Sequence, residues 1–313
     1  MAFDTSGNLL ALGVESAQSA SEVLVYTLTA PATWQAWTRS EQGPLPALPR
    51  AVPQPFAYAT WDSDERGARQ VPAWLYAPTG PGPHPVLVQL PGGHGARWQP
   101  RWDPLLQHLV SEQGWAVITP QLRGSAGYGR SWQALDNGRL RDDPLRDLAA
   151  LLVWIGLQPD LDPRRVVLWG EGLGAHQALS AMALLGERLA GAVTVGGFAR
   201  HATWLDSLPG WQRQLLRAEL GSDRDSAIRE LLERSSPLPR SGSIRSPLLM
   251  AVPPSGAVAD ELQTLADRVR ANDVEVTVVT APQPGPSWPA KDARDAWWQA
   301  VADFLGRRAT AAP

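Results

Sequence analysis

The chain has 313 residues, 44% hydrophobic and 19% charged, enough for one large α/β domain with a small appendage and unlike a disordered or coiled-coil chain. With 28 Lys and Arg against 31 Asp and Glu, the net charge is -3 and the pI near 6.0. No basic field is present to gather nucleic acid or anionic lipid, while a small neutral or cationic partner stays open. The absence of cysteine excludes disulfides, a thiol nucleophile and thiolate metal sites, and five scattered histidines leave little for an all-nitrogen one. Neither metal nor cofactor is therefore expected.

The opening MAFDTSGNLLALGVES carries Asp4 and no basic run before its short apolar stretch, which argues against a signal peptide. No segment approaches the length of a membrane span, so the cytoplasm is the expected compartment. Lys291 is the sole lysine, and 15 Trp stand against 4 Phe and 4 Tyr. The tryptophans are spread along the chain, which reads as the coding bias of a GC-rich genome and not as a stacking platform.

Residues 1–42 hold two alternating runs, NLLALGV and EVLVYTL, that read as strands of a small antiparallel unit too slight to bury a core of its own. The Pro-rich segment 43–55 reads as a linker. Residues 56–313 form the main domain, opening with a strand pair, FAYATW and VPAWLYAP, around SDERGA. From Pro85 onward, strand and helix alternate. VLVQLP leads to a helix around Pro104 to Glu112, WAVITP to one around Asp142 to Leu157, and RVVLWG to one around Leu173 to Leu185. AGAVTVGG, PLLMAV and VEVTVVT complete the strands, with helices around Ala259 to Ala271 and Lys291 to Gly306. Apolar strands spaced by amphipathic helices predict a mostly parallel sheet covered on both faces.

Five pieces in order, PHPVLVQLPGGHGARW, GWAVITPQLRGSAGYGRSW, RDDPLRDLAALLVWI, DPRRVVLWG and the GEGLG turn, resemble the catalytic domain of the prolyl oligopeptidase family, notably its acylaminoacyl-peptidase and dipeptidyl-peptidase-like branches. RGSAGYGR is the most specific piece. The resemblance implies an α/β-hydrolase fold, and residues 1–42 resemble the last blade of the β-propeller that precedes this domain in the family. Most of that propeller has no counterpart in the sequence.

The chemistry implied needs a serine on a strained G-x-S-x-G turn, an aspartate and a histidine, in that chain order. Here Gly172 stands at the nucleophile position. The aspartate position falls within Pro253 to Ala257, with Gly256 as its vestige, and the histidine position falls on Pro286 or Ser287. The histidines are His84, His94, His108, His176 and His201, so nothing after His201 supplies an imidazole. The triad is expected to be lost and the chain to be a pseudopeptidase that binds a peptide, a small molecule or a protein. An active hydrolase with an unrecognised nucleophile is the alternative.

The binding architecture is expected to persist. Gly92 and Gly93 occupy the family's oxyanion turn, the Leu173 amide is expected to point into the same cleft, and His94, beside Arg97, lies at its mouth. Tyr128 is a further cleft candidate, expected with Ser125 to shape the neighbouring loop rather than react. Glu171 is read as capping the next helix or facing solvent, His176 as a packed core residue, and Asp260 as an acidic first-turn residue. The strand edges of the N-terminal unit lead to a further expectation, pairing with a separately encoded propeller or with a second copy of the chain.

Overall fold

The structure, a computed structural model, describes residues 1–40, 49–93, 95–222, 224–281 and 291–310. Four strands open the chain, β1 (Ala2–Phe3), β2 (Leu9–Ser16), β3 (Ser19–Thr27) and β4 (Thr33–Ala36), paired antiparallel in sequence order. The two expected runs are β2 and β3; β1 and β4 extend them on either side. The Asp4 carboxylate shapes the entry to β2 by accepting from the Leu9 amide at 2.8 Å and from the Ser6 hydroxyl. This sheet is fastened to the rest of the chain through its β2–β3 turn. Buried Gln107 donates to the carbonyls of Ala17 and Ala51 and accepts from the Ala51 amide.

The second sheet begins with β5 (Gln54–Asp64), inside the span read as linker, and β6 (Gly67–Tyr76). Both strands run further into SDERGA than the sequence pattern implied, leaving Glu65 and Arg66 as the turn. Then follow β7 (His84–Leu90), α1 (Pro104–Ser111), β8 (Ala116–Pro120), α2 (Arg130–Gln133), α3 (Asp143–Gly156), β9 (Leu161–Glu171), α4 (Leu173–Leu185) and β10 (Gly191–Val195). The chain continues through α5 (His201–Ser207), α6 (Gly210–Leu220), α7 (Ser226–Ser235), β11 (Leu248–Val252), α8 (Ala257–Arg270), β12 (Val276–Thr280) and α9 (Lys291–Thr310). The spatial order is β12-β11-β10-β9-β7-β8-β6-β5, with β5, β6 and β8 joined antiparallel and every other pair parallel.

Every residue of β8, β10 and β11 is buried, because helices cover both faces of the sheet. Alternation along each strand divides the core in two. Val86, Val88, Val166 and Leu168 pack with Leu148, Leu151 and Ile155 of α3, Leu179 and Met182 of α4, and Leu262 and Leu265 of α8. Leu87, Val167 and Trp169 point to the other face, onto Leu106 and Leu109 of α1 and Trp297, Val301 and Phe304 of α9. Helices α5 to α7, absent from the sequence reading, form a separate small cluster around Leu205, Leu216, Leu220 and Leu232. An Asp225 cap that accepts from the Ala227 amide starts α7.

Candidate functional site

Strand β9 delivers the chain to the turn Gly170-Glu171-Gly172-Leu173-Gly174, from which α4 departs. The outer glycines are set by close packing, since a Cβ on Gly170 would lie 2.2 Å from the Gly174 carbonyl oxygen and one on Gly174 2.6 Å from that of Leu90. Gly172 has φ 51° and ψ -116°, a conformation that side chains other than glycine's adopt only under strain. A Cβ there would also meet the Gly92 carbonyl oxygen at 2.7 Å. That carbonyl accepts the Leu173 amide at 3.1 Å. The amide expected to face the cleft is therefore already bonded to the glycine turn beside it, because a side-chain-free elbow lets the two loops close together.

Over this turn lies a cavity of about 560 Å³ whose lining brings Gly92, Gly93, Gly172, Leu173 and Gly256 together. Phe198 and Trp204 form its aromatic wall, stacked with centroids 4.3 Å apart, and Ser207 and Ser255 add hydroxyls. No Asp, Glu, His, Lys or Arg lines it among the described residues. His94 and Pro286 lie outside the described residues. Tyr128 sits elsewhere, tilted against Trp132 with centroids 6.2 Å apart and facing the β5–β6 hairpin instead of the glycine cleft. His176 is buried, its Nδ1 3.0 Å from the Phe198 carbonyl oxygen and its ring stacked on Phe198. The described residues hold no cluster of three or more His, Asp or Glu that could bind a metal ion.

Glu171 neither caps α4 nor faces open solvent. It is half-buried in a second cavity, of about 530 Å³, at the same carboxyl ends of β7 and β9, and accepts weakly from the Trp169 indole at 3.4 Å. Burial pushes its carboxyl above the ordinary range, and Asp103 in the same cavity adds repulsion. Trp98, Trp102, Trp169 and Trp298 line that cavity too. Tryptophans scattered along the sequence are thus grouped by the fold, and the dense RWQPRWD and DAWWQ segments are its local signs.

The RGSAGYGR and RDDPLRDLAALLVWI segments meet in a buried ion cluster. Arg123 donates through Nε to Asp147 Oδ2 at 2.9 Å and through Nη2 to Asp147 Oδ1 at 2.7 Å, and reaches Asp62 Oδ1 at 3.0 Å. A planar guanidinium suits this forked pairing, which fixes the loop between β8 and α2 against α3 and β5. The Ala126 amide then donates to the Gly95 carbonyl at 3.0 Å, tethering the glycine turn between the two cavities. These pieces of the resemblance thus brace the loops beside the site.

The eight-stranded order, the elbow after β9 and the glycine turn after β7 define an α/β-hydrolase domain, here with a four-stranded antiparallel sheet in front. The sequence profile of the prolyl oligopeptidase family matches residues 102–310, well over half of the chain. The chain belongs to the prolyl oligopeptidase family. It is 25% identical over 231 residues to dipeptidyl aminopeptidase BIII of Pseudoxanthomonas mexicana, a match covering 72% of this chain and 33% of that protein. Among solved structures, the acylaminoacyl peptidase of Pyrococcus horikoshii superposes with a TM-score of 0.81 at 17% identity, over 100% of this chain and 50% of that one. A puromycin-hydrolyzing peptidase of Mycobacterium tuberculosis gives a TM-score of 0.77 at 18% identity, over 95% of this chain and 46% of its own. The chain thus spans about half the length of these solved relatives and a third of the curated one. No described helix is long and apolar enough to cross a membrane.

Proposed function

We propose that this chain is a pseudopeptidase of the prolyl oligopeptidase family, using the glycine-lined cleft to bind a peptide or a small uncharged ligand without cleaving it. The observation that carries this reading is the elbow. Gly172 brings no nucleophile, and the amide that would stabilise a developing oxyanion is held by the Gly92 carbonyl. The vestigial acid position agrees with it, since Gly256 offers the cleft no carboxylate. What remains is shape, backbone amides and the Phe198–Trp204 wall, which fit recognition of a chain segment better than acyl transfer. The test is exposure to a fluorophosphonate together with acyl-peptide and p-nitroanilide substrates. Neither a covalent adduct nor turnover is expected; one stoichiometric adduct on any serine, or hydrolysis above background, favours the active-hydrolase alternative and overturns the reading.

A second reading, a protein-binding role, has its own support. The four-stranded sheet has edges at β1 and β4 and exposes Phe3, Trp34 and Trp37, while its β2–β3 turn is fastened to α1. Exposed aromatic rings beside open strand edges match a surface that another β-rich chain or a second copy covers. Sedimentation of the full chain and of a Trp34→Ser, Trp37→Ser variant tests it. Self-association that the variant loses supports the second-copy form, whereas a full chain that is monomeric at every concentration and soluble to the same degree as the variant removes this support.

A further inference from the structure

We propose that the tryptophan-lined cavity beneath the glycine turn is a binding site for an organic ammonium ion, separate from the Gly172 cleft. Its about 530 Å³ lies within the range of small-molecule pockets, at the point where the chain order of the sheet reverses between β7 and β9. Trp98, Trp102, Trp169 and Trp298 line this space, and indole is the side chain that attracts cations most strongly over its face; Trp102 already carries the Arg50 guanidinium 5.3 Å from its ring centroid, which leaves Trp98, Trp169 and Trp298 for a ligand. Ring contacts hold the indoles in place. Tyr76 packs edge-on against Trp98 with centroids 5.5 Å apart, and Trp298 stacks on Trp169 at 6.1 Å.

The charge of the cavity points the same way. Asp103 uses Oδ1 to cap α1, accepting from the Leu105 and Leu106 amides at 2.9 and 3.1 Å, and Glu171 accepts a single long bond from Trp169. Neither carboxylate has an ion pair among the described residues. The two arginines on the same lining do not neutralise them, since Arg97 reaches away to the loop at Gly127 and Arg101 is exposed. Two carboxylates taken out of water without a counter-cation are costly, and each is pushed toward its neutral form by burial. A methylated ammonium supplies the missing charge, and its weak hydration makes transfer onto indole faces less costly than for a bare metal ion.

The site does not depend on the pseudopeptidase reading, and its test uses no hydrolase assay. Choline and its uncharged isostere 3,3-dimethylbutan-1-ol are titrated into the full chain at fixed ionic strength, by calorimetry and by tryptophan fluorescence. Choline is expected to saturate one site and to bind at least about tenfold more tightly than the alcohol. Glu171→Gln and Asp103→Asn, both close in shape and the second still able to cap α1, are each expected to weaken choline several-fold while the melting transition stays cooperative. Equal binding of choline and the alcohol, absence of saturation by choline, or full affinity in both variants overturns the proposal.

Discussion

Two cavities share the carboxyl ends of β7 and β9 and the glycine turn between them, yet they differ in kind. The upper one, over Gly172, is lined by glycines, two stacked aromatic rings and hydroxyls, with no titratable side chain among the described residues. The lower one gathers two partly desolvated carboxylates and four indoles. In a hydrolase the first would be the charged, reactive place. Here polarity lies one wall away from the position where the family's chemistry resides, which teaches that the sheet fixes where a crevice opens while individual side chains decide what it can do.

The sharpest way to break this comparison is to restore a side chain to the elbow. Gly172→Ser places a Cβ 2.7 Å from a backbone oxygen and at φ 51°, so the turn must reopen. We expect a loss of stability of about 1–3 kcal/mol from backbone strain alone, read by chemical denaturation. No hydrolysis should appear, because the described lining of the cleft offers the new hydroxyl neither imidazole nor carboxylate. A variant more stable than the parent would refute strain at the elbow, and one that turns over an acyl peptide would show that the upper cavity still holds working machinery.

The legibility of these features follows the physics of each. Strands such as LLMAV and GAVTV read directly from the sequence because burial on both faces demands unbroken apolar runs, and the empty elbow was visible because GEGLG aligns by its outer glycines. Helices α5 to α7 escaped because their apolar residues form a small cluster of their own around Leu205, Leu216, Leu220 and Leu232, leaving short amphipathic patterns among many charges; the Asp225 cap is a local cue. The bond from Leu173 to Gly92 escaped for a different reason. It depends on an ångström-scale approach of two loops far apart in sequence, which no pattern encodes. Glu171 was misplaced because its neighbours Asp103, Trp98 and Trp298 come from other segments, and only the closed sheet makes them neighbours.

The smallest expected effect sharpens the comparison from the lower side. Burial raises the carboxyl of Glu171 above its unfolded value, against an opposing pull from the Trp169 hydrogen bond and with a smaller push from Asp103. For a carboxyl raised on folding, ionisation costs more in the folded chain than in the unfolded one. The stability linked to the group is complete below its unfolded value, near 4.5, and is lost as pH rises through the folded one. Glu171→Gln mimics the neutral form at every pH and retains an acceptor for the Trp169 indole. The variant should therefore melt at a higher temperature than the parent at pH 7, by less than the elbow substitution lowers it, and the difference should vanish at pH 4. Were the variant instead less stable at pH 7, Glu171 would be held ionised by a favourable partner, and the lower cavity would lack the uncompensated charge that distinguishes it from the upper one.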